Sequence, residues 1–453
     1  MVPMKDIVKA YDIRGVVPDQ WDEAVAAALG RAFVLETGQR RIVVGRDMRE
    51  SGVSLAAAFA QAAGDAGAEV IDAGLCSTDQ VYFVSGRHDV AGAMFTASHN
   101  PARYNGIKLC LPGAKPVSID SGLDRIRDRA QAILDGELAP LADEPGSITV
   151  GDYLTEYADH LHSLVDLSRI RPLTVVVDAG NGMAGHTVPA VLDKRTPARV
   201  IPMYFELDGT FPNHEANPLE PSNIVDLQAK VRETGADLGL AFDGDADRCF
   251  VVDERGEPVS PSAVTALVAE AELAKHPGAT VIHNLITSKA VPEIVAEAGG
   301  KPVRSRVGHS YIKAEMAATG AVFGGEHSAH YYFRDFWFAD TGMLAAMYVL
   351  AALGAVDKPL SELVTGYNRY HSSGEINSTV TDQAAVVDAV EEHYRGDGVQ
   401  TDRMDGLTVT FEDGAWFNLR PSNTEPLLRL NAEAATAERM SQLRDEVLDR
   451  IRR

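Results

Sequence analysis

The turn at residues 96–101 carries a candidate nucleophile. The hydroxyl of Ser98 stands beside the imidazole of His99 and the amide of Asn100, directly after the apolar run 90–95, which predicts a buried strand. A serine hydroxyl on a loop that follows a rigid strand is well placed for nucleophilic chemistry. Serine, asparagine and proline are also ordinary turn residues. This turn alone therefore leaves a catalytic and a purely structural interpretation open.

A second loop carries three carboxylates at alternate positions. Asp243, Asp245 and Asp247 can converge on one hard divalent cation, and Gly244 lets the loop turn sharply. An EF-hand is excluded, because its sixth position requires glycine and holds Arg248, and because the flanking runs predict strands. The carboxylates and the arginine favour Mg²⁺ that also contacts a phosphate oxygen; an acidic surface turn is the alternative.

Three further segments carry groups that could bind a ligand. The glycine-led loop 324–330 presents a carboxylate, a hydroxyl and two imidazoles, which suit the hydroxyls of a sugar or, alternatively, a metal. The turn 420–425 combines a guanidinium, two hydroxyls and an amide, and predicts a phosphate-binding site. Segment 9–15 places Tyr11, Asp12 and Arg14 together, and a salt bridge is the simplest interpretation of its charged pair.

A glycine-rich turn offers a different function. Gly180 to Gly185 reads G-x-G-x-x-G after a predicted strand, and the acidic Glu206 follows about 20 positions later, as in dinucleotide-binding folds. Glycines at a tight strand-to-helix turn are also required in many α/β proteins. Nicotinamide binding is therefore kept as a weaker alternative.

Alternating strands and helices must position these loops. Three stretches of the chain predict α/β units with mixed or mostly parallel sheets, and the tail from about residue 367 predicts a smaller α+β module. Ser98 then lies at the carboxyl end of a strand, the edge at which open α/β sheets bind ligands. Residues 138–147 resemble a linker. The expected domains are residues 1–148, 149–254, 255–366 and 367–453.

Composition indicates a soluble globular protein. The chain has 453 residues, 45% of them hydrophobic, and a formal net charge of −23, which argues against nucleic-acid or anionic-membrane partners. An anionic substrate would need a local basic cluster. Three cysteines without metal-ligand spacing, no signal-peptide pattern and no apolar run near the ~20 residues of a membrane span favour a cytoplasmic protein.

Taken in order, these motifs resemble the α-D-phosphohexomutase family, specifically its phosphomannomutase/phosphoglucomutase branch. The resemblance covers essentially the whole chain and rests on Thr-Ala-Ser-His-Asn-Pro, Asp-Gly-Asp-Ala-Asp-Arg, Gly-Glu-His-Ser-x-His and Arg-Pro-Ser-Asn-Thr-Glu-Pro. It implies four domains around a central cleft. It also implies an isomerase that moves phosphate between O6 and O1 of mannose or glucose through a phosphoserine and a hexose 1,6-bisphosphate. The glycine-rich turn then becomes structural.

The resemblance also implies a role for each motif. Ser98 would carry the phosphoryl group, and Asp243, Asp245 and Asp247 would hold Mg²⁺ together with a Ser98 phosphate oxygen. The remaining expected roles are charge or proton transfer near Ser98 by Arg14, Lys108 and Arg248, general acid/base catalysis by His309, and substrate binding by Tyr11, His99, Glu326, His327, Ser328 and His330. The unreactive phosphate would be bound by Arg420, Ser422, Asn423 and Thr424.

Two departures from the family pattern stand out. Ala329 replaces a glycine in the sugar loop, a change that should be tolerated, and Ile286 stands about where some relatives have a basic residue, so that Lys289 would have to supply the contact. A serine-nucleophile, Mg²⁺-dependent sugar phosphatase and a non-catalytic sugar-phosphate sensor are the alternative functions. The preferred hexose and the oligomeric state are left open.

Overall fold

The structure is a computed structural model that describes residues 3–137, 141–193, 195–422 and 427–452, without the side chains of residues 309 and 310. The secondary structure forms four sheets, each built from one consecutive stretch of the chain. The three α/β units and the α+β tail predicted from the sequence are therefore present. No helix in these ranges is both long and apolar enough to cross a membrane.

The first domain contains a mixed sheet with the order β1-β5-β4-β2-β3-β7, to which β6 adds at β5. Its strands are β1 (Ile13–Val16), β2 (Arg41–Arg46), β3 (Glu69–Leu75), β4 (Ala91–Phe95), β5 (Tyr104–Leu111), β6 (Lys115–Pro116) and β7 (Ile148–Val150). Its helices are α1 (Met4–Ile7), α2 (Glu23–Thr37), α3 (Glu50–Asp65), α4 (Thr78–His88) and α5 (Leu123–Leu134). Strand β5 runs antiparallel to β4, whereas β2, β3 and β4 are parallel.

The first domain extends beyond the boundary predicted at residue 148. Strand β7 pairs in parallel with β3, so residues 148–150 belong to the first sheet. The described part of the predicted linker, residues 141–147, packs against the end of α3, where Ala142 N and Gly146 N donate to main-chain carbonyls of residues 65 and 64. Residues 138–140 lie outside the described ranges. The composition of residues 138–147 predicted a linker, but composition carries no information about main-chain contacts of this kind.

The second and third domains repeat the α/β design with five strands each. The second contains β8 (Thr174–Asp178), β9 (Arg199–Met203), β10 (Leu238–Phe242), β11 (Cys249–Asp253) and β12 (Pro258–Val259), with α6 (Leu154–Leu164), α7 (Ala184–Val191) and α8 (Val225–Thr234). The third contains β13 (Thr280–Asn284), β14 (Lys301–Ser305), β15 (Phe323–Gly325), β16 (Tyr331–Phe333) and β17 (Ala339–Asp340), with α9 (Pro261–Lys275), α10 (Ala290–Glu297), α11 (His309–Thr319), α12 (Gly342–Gly354) and α13 (Leu360–Leu363).

The fourth domain is an antiparallel sheet of order β18-β22-β21-β20-β19 with two helices. Its elements are β18 (His371–Thr379), α14 (Gln383–Tyr394), β19 (Val399–Asp402), β20 (Leu407–Phe411), β21 (Trp416–Pro421), β22 (Leu427–Ala434) and α15 (Ala437–Ile451). Polar residues dominate β18, which explains why the sequence did not predict it as a strand: it lies at the edge of the sheet and most of its side chains are not buried.

The hydrophobic cores divide the molecule into unequal parts. One continuous core includes buried residues of the first, second and third domains; the ring of Phe83, for example, contacts Tyr157 edge to face at 5.9 Å. The fourth domain has a core of its own. It contacts the third domain through a small apolar cluster of Leu285, Ile286 and Trp416, with Val307 beside it. The first three domains thus form one packed body, and the fourth is joined to it by a smaller contact.

Candidate active site

The candidate nucleophile lies on residues 96–104, here called the serine loop, which follows β4 as predicted. Ser98 has a left-handed backbone conformation (φ 51°) and is 4% exposed. Its hydroxyl donates to Asp243 Oδ2 at 2.9 Å and lies 3.2 Å from Nδ1 of His99. Burial lowers the pKa of His99 well below its usual range, so this imidazole is neutral. The Ser98 hydroxyl therefore points from the first domain at the acidic loop of the second.

The three predicted metal ligands lie together on the turn between β10 and β11. Carboxylate oxygens of Asp243, Asp245 and Asp247 lie within 4.8 Å of one another, and all three residues are buried. Oδ1 of Asp245 and Oδ1 of Asp247 are buried acceptors without a hydrogen-bond donor. Buried carboxylate oxygens need a cationic or hydrogen-bonding partner. This donor set fits a hard divalent cation.

Two cations partly offset the charge of these aspartates. Lys108 Nζ lies 2.7 Å from Asp245 Oδ2 and 2.5 Å from Asp247 Oδ2, and Arg248 Nε donates to Asp243 Oδ2 at 2.9 Å. Burial opposes the charge on Lys108, but the two carboxylates outweigh it and raise its pKa well above the usual range. Beside these carboxylates, with no metal bound, Lys108 is therefore positively charged, which favours the electrostatic over the proton-shuttle role predicted for it.

The carboxylates differ in their ease of ionisation. Burial, followed by the negative charge of Asp245, raises the pKa of Asp247. Burial also opposes ionisation of Asp245, but Lys108 outweighs it and lowers the pKa of that carboxyl. Without a metal, Lys108 thus stabilises the ionised form of Asp245 more than that of Asp247, and the negative charge of Asp247 is not fully compensated.

Ser98 and Asp247 line a cavity of about 830 Å³, a volume suited to a small ligand. Its lining comes from all four domains and includes Lys9, Tyr11, Arg14, Ser98, Lys108, Arg248, His330 and Arg429. Five lysine and arginine side chains therefore line it, against three aspartates (Asp12, Asp247 and Asp340), so that positive charge is in excess. The cavity is thus the local basic cluster that an anionic substrate requires on a chain of net charge −23.

Segment 9–15 forms one wall of this cavity. Arg14 donates to Asp12 Oδ2 at 2.6 Å and to Asn100 Oδ1 at 2.5 Å, so the predicted salt bridge exists and also ties Arg14 to the serine loop. Burial raises the pKa of the Tyr11 hydroxyl, and the charges of Glu326 and Arg420 are close enough to affect it as well. Tyr11 lines the cavity together with His330 of the third domain and Arg429 of the fourth.

The sugar loop, residues 324–330, is tightly ordered. Glu326 is 3% exposed and accepts from the Tyr332 hydroxyl at 2.5 Å and from Asn284 Nδ2 at 3.3 Å. Ser328 Oγ lies 3.0 Å from Nδ1 of His330. These contacts order the loop, and direct binding of ring hydroxyls by Glu326 and Ser328 stays a prediction.

Both histidines of the sugar loop contact the rest of the site. His330 Nε2 lies 3.8 Å from Asp247 Oδ1, which connects the loop to the acidic turn. His327 Nδ1 lies 3.0 Å from Asn284 Nδ2. Burial lowers the pKa of His327 to about 3, and Arg420 and Arg429 add to this effect. His327 is therefore neutral, and Arg420 and Arg429 of the fourth domain are close enough to affect its charge.

The predicted phosphate turn begins at the end of β21. Arg420 lies opposite Arg429 in the β21–β22 pairing, and like charges in such positions repel each other. Glu375 lies between them, with one oxygen 3.5 Å from Arg420 Nη2 and the other 3.5 Å from Arg429 Nη1. Ser422 is buried beside them. Asn423 and Thr424 lie outside the described residues, as does the side chain of His309, the first residue of α11.

The two departures from the family pattern have structural explanations. Ala329 has a left-handed conformation (φ 62°), which glycine adopts more easily and which costs an alanine roughly 1 kcal/mol. Ile286 packs against Trp416 in the contact between the third and fourth domains. Lys289 Nζ lies against the Gly414 turn, at the opposite end of β21 from Arg420. Lys289 therefore does not replace the missing basic residue beside the sugar loop.

The glycine-rich turn is occupied by protein contacts. A side chain at Gly182 would come within 2.7 Å of the Gly244 carbonyl, and one at Gly185 within 2.2 Å of the Phe205 carbonyl. Met183 N, at the start of α7, donates to Gly244 O at 2.9 Å. These glycines allow the turn to pack against the acidic loop and leave no space for a pyrophosphate, as the structural role requires.

Several residues of the site were missed from the sequence, and three of them show why. Arg429 lines the cavity, Thr78 donates to Asp245 Oδ2 at 2.5 Å, and Arg49 donates to main-chain carbonyls of the serine loop. Arg49 follows β2, a parallel neighbour of β4, so its position at the carboxyl edge of the sheet was a usable signal. Arg429 and Thr78 have no comparable signal, because their roles depend on which strand or loop faces them.

Comparison with known proteins gives matches along the whole chain. Family models described as phosphoglucomutase/phosphomannomutase match in order: alpha/beta/alpha domain I at residues 5–136, domain II at 155–256, domain III at 260–370 and the C-terminal domain at 375–450. A phosphomannomutase of Salmonella montevideo is 41% identical over 434 residues, which are 94% of each chain. Phosphohexose mutases of Xanthomonas campestris pv. campestris are 42% identical over 428 residues, again 94% of each chain.

A solved structure has the same architecture. A phosphoglucomutase/phosphomannomutase family protein from Burkholderia thailandensis is 32% identical and superposes with a TM-score of 0.89 over 99% of this chain and 97% of that chain.

Proposed function

Since the chain belongs to the phosphoglucomutase/phosphomannomutase family and is a phosphohexomutase of the isomerase class, we propose that it interconverts the 1- and 6-phosphates of mannose and glucose through phosphorylated Ser98. The family resemblance inferred from the motifs is confirmed. The observation that carries the proposal is the Ser98 hydroxyl, 2.9 Å from Asp243 in a basic cavity. The phosphatase alternative is not supported by these relatives.

Asp243, Asp245 and Asp247 are the proposed Mg²⁺ ligands. The two unpartnered carboxylate oxygens and the charge that Lys108 and Arg248 leave uncompensated support this assignment. Bound Mg²⁺ would supply positive charge to a phosphoryl group, which needs positioning and electrostatic stabilisation more than covalent chemistry.

The proposed reaction has two half-reactions at one serine. In the first, the bond between Ser98 Oγ and phosphorus breaks and phosphorus bonds to the free hydroxyl oxygen of the substrate. The proton of that hydroxyl passes to His309, while Ser98 Oγ takes up a proton from water. The product is a hexose 1,6-bisphosphate. In the second half-reaction, the bond between the other phosphate and its hexose oxygen breaks and phosphorus bonds to Ser98 Oγ. The Ser98 hydroxyl proton returns to water, and the hexose oxygen takes a proton from His309. Arg14, Lys108 and Arg248 provide the fixed positive charge that this transfer requires.

The fourth domain provides the proposed binding site for the phosphate that does not react. Arg420 and Arg429 present two guanidinium groups side by side, and guanidinium groups bind phosphate through paired hydrogen bonds. Glu375 occupies the space between them. A phosphate would have to displace or share this carboxylate, which moderates the affinity of the site. Moderate affinity suits an intermediate that must turn round.

Substrate selectivity follows from the sugar loop. Glucose and mannose differ at C2, and Glu326 and Ser328 are expected to bind hydroxyls elsewhere on the ring. A site that does not bind the differing hydroxyl discriminates weakly, by about 10- to 100-fold. We therefore expect both hexose phosphates to be substrates.

A product assay tests this proposal. Mannose 1-phosphate and glucose 1-phosphate are each incubated with the protein, Mg²⁺ and a trace of hexose 1,6-bisphosphate, with Ser98→Ala as the matched control. Formation of hexose 6-phosphate by the wild type alone is the expected result. Release of inorganic phosphate in place of hexose 6-phosphate would show that a phosphatase is the correct assignment.

A further inference from the structure

Arg49 is a charged side chain buried beneath the serine loop. The residue is 1% exposed, and its Nε donates to Asp47 Oδ2 at 3.1 Å. Its carboxylate partner is fully buried too, and it accepts from the Thr96 hydroxyl at 2.7 Å. A buried ion pair is costly to desolvate and is weak evidence for a purely stabilising role. The other partners of the guanidinium therefore indicate what this buried pair does.

The guanidinium binds the main chain of the serine loop. Nη2 donates to the carbonyls of Ser98 and Asn100 at 3.0 and 2.6 Å, and Nη1 donates to the carbonyls of Pro101 and Tyr104 at 2.9 and 3.0 Å. One planar group thus contacts four carbonyls within seven residues. The rigid geometry of the five N–H donors of arginine makes this possible, and the single ammonium of lysine cannot reproduce it.

These contacts restrain the residue that carries the nucleophile. Ser98 has a left-handed backbone conformation, which costs a non-glycine residue about 1–2 kcal/mol and persists only when the surroundings impose it. The hydrogen bond from Arg49 to the Ser98 carbonyl and the one from Ser98 N to Thr96 hold the residue from both sides. Asp47 links both contacts, because it binds Arg49 and Thr96.

The same contacts join the serine loop to the second domain. A side chain at Gly244 would come within 2.5 Å of the Ser98 carbonyl, so this carbonyl lies directly against the acidic loop. The ring of Phe211 covers the Arg49 guanidinium at 5.1 Å. Because the guanidinium binds the Ser98 carbonyl, a shift of the guanidinium would move Ser98 relative to the acidic loop and change its distance from Asp243.

We propose that Arg49 is the positioning residue of the nucleophile: its guanidinium fixes the serine-loop main chain so that Ser98 Oγ faces the aspartate cluster in the geometry needed for phosphoryl transfer. This inference rests on the proposed function, because it requires Ser98 to be the phosphoryl carrier. Arg49 itself is not part of the cavity lining and, in this proposal, does not contact the substrate.

The test compares Arg49→Lys with Arg41→Lys, a control on the exposed start of β2, where the arginine side chain is 55% exposed. Lysine at position 49 keeps the charge beside Asp47 but loses most of the carbonyl contacts. We expect its kcat to fall about 10- to 100-fold, as for a misplacement of roughly 1 Å. The KM for glucose 1-phosphate should stay close to the wild-type value. The thermal unfolding midpoint should fall, because buried carbonyls lose their donors, but the protein should stay folded at the assay temperature. Arg41→Lys should match the wild type throughout.

Phosphoenzyme formation and chemical rescue complete the test. Intact mass in a single turnover with glucose 1,6-bisphosphate should show slow phosphorylation of Arg49→Lys. Guanidinium ion at millimolar concentration should restore part of the kcat of Arg49→Ala, whereas methylammonium should not. A folded Arg49→Lys protein with unchanged kcat, or a kcat loss matched by a rise in KM, overturns the inference. Absence of a Ser98 phosphoenzyme in the wild type would instead refute the proposed function.

Discussion

Replacing Lys108 with methionine should make the stability of this protein depend on metal. Lys108 lies within 2.7 Å of Asp245 and 2.5 Å of Asp247, and its side chain is 12% exposed. Methionine keeps an unbranched side chain of similar size but removes the charge. The perturbation therefore leaves the packing almost intact and takes one of two cations from a cluster of three buried carboxylates.

The magnitude follows from the charges in the cluster. Three aspartates, Lys108 and Arg248 have a formal sum of −1, which becomes −2 in the variant. Removing one partner of a buried ion pair typically costs about 3–5 kcal/mol. At about 2 °C per kcal/mol, appropriate for a large cooperative unit, the unfolding midpoint of metal-free protein should fall by about 6–10 °C. Mg²⁺ at a hundredfold excess over its dissociation constant should raise the free energy of unfolding by roughly 3 kcal/mol.

Thermal unfolding in chelator and in Mg²⁺ measures both quantities. Lys115→Met, on an exposed position of β6, is the matched control and should behave as the wild type in both buffers. Mg²⁺ should stabilise Lys108→Met more than the wild type, yet the variant should remain slow in turnover because the positive charge near Ser98 is absent. If chelated Lys108→Met is as stable as chelated wild type, the carboxylates do not depend on Lys108 for charge balance and the reasoning fails.

Three further predictions concern other parts of the site. Ser98→Ala should lose the phosphoryl group in intact mass and reduce turnover by several orders of magnitude; near-normal turnover would exclude the phosphoserine route. Burial raises the pKa of Asp79 to about 6, so the native state binds its proton more tightly than the unfolded chain does. As the pH rises from roughly 4 to 6, the free energy of unfolding of the wild type should therefore fall by about 3 kcal/mol relative to that of Asp79→Asn. Identical dependence of unfolding on pH in the two proteins would contradict this. Arg420→Ala should weaken 1- and 6-phosphate substrates alike, by on the order of 2 kcal/mol, and release more bisphosphate; an effect on one substrate alone would refute a shared phosphate site.

The loops of the site could be predicted because each is a local sequence signal. Ser98 follows an apolar run, the three aspartates alternate around a glycine, and Arg420 starts a turn rich in hydroxyls. Each combination of residue types has a chemical meaning within a few positions. The alternation of strands and helices then predicted which edge of the sheet carries Ser98, and β4 ends immediately before the serine loop.

The contacts that assemble the loops could not be predicted in the same way. Lys108 is 137 residues from Asp245, and Glu375 is 45 residues from Arg420. A sequence pattern does not state which distant side chain neutralises a buried carboxylate. Strand pairing decides this within the fourth domain, where β21 and β22 bring Arg420 opposite Arg429, and the packing of the first domain on the second decides it for Lys108 and Asp245. The fold therefore determines the electrostatics of the site, although the motifs determine its chemistry.

The division of the cores matches the two demands of the proposed reaction. Phosphoryl transfer requires fixed geometry, and Ser98, the aspartates and the sugar loop all lie on the three domains that share one core. Reorientation of a bisphosphate requires that one phosphate be released and the other bound at the same distal site. Arg420 and Arg429 lie on the domain with a separate core. That domain is joined to the third by the small cluster around Ile286 and Trp416 and by polar contacts such as Lys289 N to Glu433 and Arg304 to Asp402. Hinge motion needs an interdomain contact that costs little free energy to rearrange. The apolar side chain of Ile286 provides such a contact, whereas a basic residue at this position would not. It gives the fourth domain a non-polar surface to pack on, while Arg429 contributes positive charge from the fourth domain itself.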